Sequence, residues 1–263
     1  MNFRWIGVLQ TMYSENTATT EKLSIVIPVY NEERTLGLLL EKVAAAPLDI
    51  PREVVIVNDG SIDSSDRIIK NFMAMDHDFE VKYLQRTNGG KGAAVRDGIA
   101  ASSGSIIIIQ DGDLEYEPSE YSRCIAPILA DASQIVYGSR ERKKGNGYSQ
   151  LRFYLGGLAV TWMVNLLYFT LLTDEPTCYK VFRSRLIKAL EFENDDFGWE
   201  PEVTCKLLRL GYKIAEVPVS YTPRHVAEGK KIRWQDGLKA FKIILQWRFA
   251  DLNKFNHLRK KSF

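Results

Sequence analysis

Ser105-Ile106-Ile107-Ile108-Ile109-Gln110-Asp111-Gly112-Asp113-Leu114-Glu115-Tyr116-Glu117-Pro118 passes from four consecutive isoleucines into a cluster of carboxylates. The isoleucine run has no alternation, so it reads as a strand covered on both faces, as in a parallel sheet. Asp111 and Asp113 follow at i and i+2. If extended backbone persists through Gly112, that spacing sends both carboxylates to one side, and Gly112 lets another group approach the chain closely. Two hard oxygen ligands there suit Mg2+ or Mn2+, chiefly when a phosphate oxygen completes the coordination shell. Glu115 is a candidate third ligand. The same residues also fit a solvated acidic turn that leads into a helix at Glu117-Pro118-Ser119. Taken alone the stretch leaves both readings open.

The flanking chain favours the first. Leu23 to Tyr30 reads as a strand, with Pro28 near its end, and Asn31-Glu32-Glu33 opens a helix whose apolar positions include Leu36, Leu39, Leu40 and Val43. Glu53 to Val57 is a second strand, ending in Asn58-Asp59-Gly60-Ser61 before a helix carrying Ile68, Ile69 and Phe72. Val81 to Leu84 is a third, followed by Asn88-Gly89-Gly90-Lys91-Gly92 and a helix of small residues that leads to Ile106. Strand and helix in alternation build a parallel sheet with right-handed crossovers, and ligands bind beyond the carboxyl ends of its strands. Any one polar strand end is ordinary turn chemistry. Four of them on one rim point to a binding site. The glycines at 89, 90 and 92 lack GxGxxG spacing after the first strand, and Lys91 is not followed by Ser or Thr, which argues against a dehydrogenase or a P-loop NTPase.

At 263 residues, 45% hydrophobic and 26% charged, the chain is long enough to bury a core. Cys124, Cys178 and Cys205 are odd in number and far apart, which fits reduced core residues better than disulfides or zinc ligands. Charge is distributed unevenly. Lys230 to Phe263 holds ten Lys or Arg against Asp236 and Asp251, a balance of +8 in a chain of net +2, which leaves about −6 for the rest. Residues 1–22 read as a loosely ordered tail, 23–229 as the catalytic domain and 230–263 as a basic amphipathic segment. Phe153 to Leu172 carries no charge and has the length to span a bilayer. Crossing there would put Asp111 and Glu200 on opposite sides, so a buried or membrane-facing helix is expected.

Taken in order, Ile27 to Glu32, Val57 to Ser61, Asn88 to Gly92, Asp111 to Leu114, Gly138-Ser139-Arg140, Thr173-Asp174 with Thr177 to Arg183, and Phe197 to Glu202 resemble the motifs of glycosyltransferase family two. Within it they are similar to the dolichyl-phosphate mannose synthase and polyprenyl-phosphate glucosyltransferase group, over roughly Leu23 to Phe249. The resemblance implies a GT-A fold, a nucleotide-binding, Rossmann-like, mostly parallel α/β sheet flanked by helices. It implies that Pro28, Tyr30, Glu32, Asp59, Lys91 and Asp111 bind the nucleotide-sugar donor, and that Asp111, Asp113 and Glu115 hold Mg2+ or Mn2+ on its diphosphate. Glu115 departs from the Gln of some relatives. Asp113, Arg140 and Arg152 are the candidate catalytic residues, because charge develops on the leaving diphosphate and fixed cations stabilise it.

The acceptor of that group is a polyprenyl phosphate, whose oxygen is ionised at neutral pH and needs no general base. Glu200 and Glu202 are therefore expected to orient sugar hydroxyls or pair with Arg140, or else to form an acidic first turn of a helix. Arg224 and Lys230 are expected to grip the acceptor phosphate, and His225 has no partner visible in the sequence. From Trp234 on, Leu238, Phe241, Leu245, Phe249 and Leu252 recur among Lys239, Lys242, Arg248 and Lys254 as a basic amphipathic helix. That implies peripheral contact with an anionic cytoplasmic leaflet. The other reading of this helix is packing on the catalytic domain or on a second copy in a homo-oligomer. Basic residues among aromatics also fit nucleic acid, but no nucleic-acid module accompanies them. The function expected is inverting, metal-dependent transfer of mannose or glucose, from GDP-mannose or UDP-glucose, to polyprenyl phosphate. A different acceptor, a sugar-1-phosphate nucleotidyltransferase and a catalytically silent membrane module are the alternatives. The missing glycine-rich signature near the first strand counts against the nucleotidyltransferase.

Overall fold

The computed structural model describes residues 21–148, 150–224 and 234–260. Its sheet contains β1 (Leu23–Val29), β2 (Arg52–Asn58), β3 (Glu80–Gln85), β4 (Ile106–Ile109), β5 (Ile135–Ser139), β6 (Lys180–Arg183) and β7 (Ala215–Pro218), in the order β3-β2-β1-β4-β6-β5-β7. All pairings are parallel except the two made by β6, which runs against β4 and β5. The four isoleucines of β4 are fully buried, as a strand covered on both faces requires. β1 lies between β2 and β4, so the chain winds outward in one direction through β2 and β3 and in the other through β4. At that reversal, crevices open beyond the strand ends.

The helices are α1 (Leu36–Ala45), α2 (Ser65–Met73), α3 (Lys91–Ala101), α4 (Tyr121–Leu129), α5 (Leu151–Tyr168), α6 (Ser184–Leu190), α7 (Trp199–Arg209) and α8 (Trp234–Phe249). α1 starts at Leu36, later than the sequence predicts. Asn31 has φ +50°, and the Asn31 and Glu32 amides donate to Ser61 Oγ and Ser65 Oγ at 3.0 Å. Side chains of the β2–α2 turn thus take the amides that a helix start would leave over. β6 is not legible as a strand because Lys180 opens it, fully buried, with Nζ 3.7 Å from the centre of the Tyr137 ring. Burial pushes that ammonium below its usual range, against the pull of Glu175. α5 stops short of Leu172: Phe169 has φ +54°, and the Asn165 amide both accepts from Leu172 N and donates to Leu172 O at 2.8 Å.

Residues 234–260 share the main core rather than standing apart. Ile243, Ile244, Trp247, Leu252 and Phe255 are buried in it, and Tyr168 of α5 donates to Ile244 O at 2.7 Å. The predicted apolar stripe of α8 is therefore divided. Leu252 packs inward, while Leu238, Leu245 and Phe249 stay exposed beside Lys239 and Lys242. All three cysteines are free and buried.

At the end of the sheet away from the site, Glu53 is fully buried. It accepts from Ser24 Oγ at 2.5 Å, Ser103 Oγ at 2.6 Å, Gly104 N at 3.1 Å, Lys82 Nζ at 2.9 Å and Lys22 Nζ at 3.1 Å. Burial opposes its charge, but the bonds from Ser103, Ser24 and Lys82 outweigh this and hold the carboxyl far below its usual range. A carboxylate depressed in the folded state contributes stability above its unfolded pKa of about 4 and loses it as pH falls. Glu53→Gln is expected to cost about 2–4 kcal/mol at pH 7. Denaturant unfolding should show the gap to wild type narrowing as pH falls below about 4, where the unfolded wild-type chain takes up a proton that the folded protein does not bind.

Candidate active site

The carboxyl ends of β1 and β4 set the site. After Ile109 the chain bends instead of staying extended, and Glu115 N donates to Asp113 Oδ1 at 3.0 Å. Asp111 pairs with Lys91 and Asp113 with Arg224, and the two carboxylates are near enough for the charge of one to act on the other. Gly112 is a close approach: a Cβ there would stand 3.3 Å from Pro28 O and from Glu32 Cγ.

Lys91, first residue of α3, is no solvated helix-start lysine. Its Nζ lies 2.8 Å from Asp111 Oδ1 and 2.9 Å from Glu200 Oε1. Burial works against its charge, yet Asp111 and Glu200 hold the ammonium well above its usual range. Burial likewise opposes ionisation of Asp111, and Lys91 overcomes it, keeping that carboxylate low. The loop before Lys91 is fixed from two sides. Asp59 accepts from Gly89 N at 2.9 Å and Gly90 N at 2.8 Å. Gly90, at φ +100°, packs where a Cβ would come 2.5 Å from Asp195 O, so only glycine fits. Both Asp59 oxygens thus brace the loop, and nucleoside contact from this residue would have to share them.

Arg224 closes the other side. Its Nη2 donates to Asp113 Oδ2, its Nη1 to Glu32 Oε2 at 3.0 Å, and its backbone N to Glu115 Oε1 at 2.8 Å. Tyr221 Oη donates to Glu115 Oε2 at 3.2 Å, and Thr222 N to Glu115 O at 2.9 Å. Glu115 therefore holds the 221–224 segment against the acidic loop. Burial, then the charges of Asp111 and Glu115, push the Asp113 carboxyl up to about 7, although Arg224 acts in the opposite sense. A carboxylate raised by its own neighbours is short of positive charge.

Arg140 is partly buried and clamped on Asp174. Asp174 accepts from its Nη2 at 2.6 Å, its Nε at 2.7 Å and its backbone N at 2.8 Å, and Pro176 O accepts from Nη2 at 3.1 Å. Its guanidinium lies 5.0 Å from the centre of the Tyr221 ring. Arg140 thus reaches the carboxylates through Tyr221 and Glu115, and its partner is Asp174, neither Glu200 nor Glu202. Asp174 was the residue missed. It stands in the quoted Thr173-Asp174 motif, but its partner lies 34 positions away and nothing local marks the pair.

Two expected residues are not brought to the site. Arg152 is exposed at the start of α5, where its Nε donates to Gln150 Oε1 at 2.7 Å. Glu202 is fully buried facing the other way, accepting from Lys206 Nζ at 2.5 Å and from Glu193 N and Asn194 N at 3.0 and 2.9 Å. It is an anchor for the 193–194 loop, and its place one helical turn from Lys206 explains the pairing. Pro28 and Tyr30 lie on the β1 rim, Tyr30 exposed. Lys230, with His225 and Lys231, falls outside the described residues.

The donor set fits a divalent cation shared with phosphate. Among the described residues no three His, Cys, Asp or Glu side chains form a closed metal cage. Two carboxylates with phosphate oxygens do not require one. Arg224 already serves as a stand-in cation on Asp113 and Glu32.

A mostly parallel sheet whose winding order reverses at β1, with an aspartate pair and two basic side chains at that reversal, is a fold of the GT-A class. The chain belongs to Glycosyl transferase family 2, whose family model matches residues 24–191. It is 27% identical over 206 residues to dodecaprenyl-phosphate galacturonate synthase of Rhizobium johnstonii, covering 77% of this chain and 60% of that one. It is 37% identical over 130 residues to undecaprenyl-phosphate 4-deoxy-4-formamido-L-arabinose transferase of Aeromonas hydrophila, covering 49% and 40%. The likeness to dolichyl-phosphate beta-glucosyltransferase of Trichomonas vaginalis is 27% over 212 residues, covering 76% and 65%. The chain thus spans less than two thirds of the length of these relatives. Glucosyl-3-phosphoglycerate synthase from Mycobacterium tuberculosis, solved with Mn2+, UDP and phosphoglyceric acid, shares the fold at a TM-score of 0.67 and 18% identity, covering 89% of this chain and 80% of that one.

Proposed function

We propose that this protein transfers a hexose, mannose or glucose, from GDP-mannose or UDP-glucose to polyprenyl phosphate, with inversion, at the cytoplasmic face of a membrane. The observation that carries the reading is the row Lys91–Asp111 and Asp113–Arg224 at the strand reversal: two carboxylates for a cation, each with a basic residue that can turn to phosphate. The names of the polyprenyl- and dolichyl-phosphate relatives support the acceptor. Asp111 and Asp113 would hold Mg2+ or Mn2+, which when bound neutralises charge on the donor diphosphate. Lys91, largely buried and cationic, would stabilise the leaving oxygen. An acceptor phosphate oxygen bonds to the anomeric carbon as the bond to the leaving diphosphate breaks, a single displacement that inverts. Asp111, Asp113 and Glu200 are each paired with a cation, which suits a reaction needing neither a carboxylate nucleophile nor a general base.

The membrane contact is proposed on a shared apolar face. Trp162 (70% exposed), Phe169 (86%) and Leu171 (90%) project from α5 and its end, and Phe249 (79%) from α8. Tyr168 bonds the two helices together. Lys242, exposed on α8, suits anionic headgroups, while Lys239 is paired with Asp196. Between α5 and the Leu172–Thr173 turn runs a groove of about 460 Å3, lined mainly by apolar atoms of Leu158, Trp162 and Leu172, where an isoprenoid would lie. Among the described residues no helix is long and apolar enough to cross a membrane.

Incubation with radiolabelled GDP-mannose or UDP-glucose and a short polyprenyl phosphate in detergent with Mn2+ is expected to place label in the lipid phase, and a chelator to prevent it. Donor hydrolysis without lipid product would remove polyprenyl phosphate as acceptor. In the same assay Arg224→Ala should raise the KM for the acceptor about tenfold or more, the loss of one charge-assisted contact, without weakening donor binding. Equal losses for donor and acceptor would place Arg224 elsewhere.

A further inference from the structure

We infer that Arg224 is a built-in competitor for the cation site: its guanidinium bridges Asp113 and Glu32 in the free protein, and metal-bound donor must release it, which delivers it to the acceptor phosphate. The inference rests on the proposed metal and acceptor roles and adds a coupling between them. Three observations carry it. The guanidinium reaches two carboxylates from two different strand ends, Asp113 after β4 and Glu32 after β1, so it lies between them. Its Nε is buried with no hydrogen-bond partner and lies 3.8 Å from Glu115 Oε1, so the site holds the group by charge without satisfying its full donor fork. Its own backbone is tethered independently by Glu115 and by the Tyr116–Tyr221 bridge, so the side chain can swing while residues 221–224 stay in place.

A cation on Asp113 and the guanidinium on Asp113 exclude each other at the same oxygen. The free protein is then held in a closed state that binds metal weakly, and the released arginine appears only when donor is in place. Binding is ordered, donor before acceptor. If Arg224 occupies the carboxylates nine-tenths of the time, the apparent Kd for metal is raised about tenfold.

The test is Mn2+ titration of the full chain followed by electron paramagnetic resonance of the free ion, without nucleotide, in wild type, Arg224→Gln and Arg224→Lys, each checked for folding by circular dichroism. Arg224→Gln should bind Mn2+ about tenfold more tightly. Arg224→Lys keeps the charge but loses the planar fork that reaches Asp113 and Glu32 through two separate nitrogens, and should also bind more tightly than wild type. In protein carrying 15N-arginine, the Nε–H signal that Arg224→Gln removes should move when Mg2+ is added with UDP. Equal affinity in all three proteins, or an unmoved Nε–H signal while metal binds, overturns the competition. Tightening in the Gln variant alone would reduce the effect to net charge and overturn it too. Failure of all three to bind Mn2+ even with UDP would instead remove the metal assignment, and the inference with it.

Discussion

Asp113→Asn is expected to lower sugar transfer by about two to three orders of magnitude, the effect of removing a charge preorganised for the transition state, with the fold intact. The amide oxygen can still accept from Glu115 N, so the turn survives, while the charge that a cation or Arg224 needs is gone. The variant carries a second signature, in stability. In the free protein the Asp113 carboxyl is pushed up to about 7, by burial first and then by Asp111 and Glu115. Its pKa in the unfolded chain is about 4. The folded state thus binds the extra proton between those values, so this group's contribution falls as pH rises from about 4 through 7. Asparagine abolishes that slope. Thermal unfolding in chelator at pH 5 and pH 8 should show wild type losing more than the variant. Turnover that survives Asp113→Asn, or survives excess chelator, would contradict the assignment.

Asp174→Asn should be among the most damaging substitutions for stability, at about 2–4 kcal/mol, because it strands a partly buried guanidinium. Three hydrogen bonds from Arg140 converge on this carboxylate, and burial would otherwise disfavour the guanidinium that Asp174 holds charged. The double variant Arg140→Met, Asp174→Leu removes both charges together and should recover much of the stability, as apolar replacements of buried pairs do. It should not recover transfer, since Arg140 supports Tyr221, and Tyr221 supports Glu115 and the Arg224 segment. Denaturant unfolding and transfer assays on the same three proteins separate the two effects. Full activity in the double variant would show the pair to be scaffolding alone.

β1, β2 and β4 were legible because each is a short apolar run stopped by turn residues and buried on both faces, whereas β3, a half-buried edge strand, was legible only over Val81 to Leu84. β6 was not, since its fully buried Lys180 is affordable only through Glu175 and the Tyr137 ring, which the chain brings in from elsewhere. The acidic loop and Lys91 could be found from strand-end position. Their pairings could not: Lys91 and Glu200 are 109 residues apart, and Arg224 and Asp113 are 111 apart. Glu202 was misplaced because a helix-start carboxylate reads alike whether it faces a substrate or, as here, a lysine one turn on. The division of the α8 stripe depends on which side α5 and α7 cover, a tertiary fact that periodicity does not contain.

On the proposed membrane contact, the clasp of Asn165 on both backbone groups of Leu172 would govern how the protein searches a lipid surface. Ordering a loop costs about 1–2 kcal/mol per residue in chain entropy. Here the turn carrying Phe169 and Leu171 is set during folding, so a landing on the bilayer would meet a rigid wedge rather than a segment that must first freeze. Residence time would then follow the depth of the wedge, and diffusion in two dimensions between landings would set how soon a sparse lipid phosphate is found.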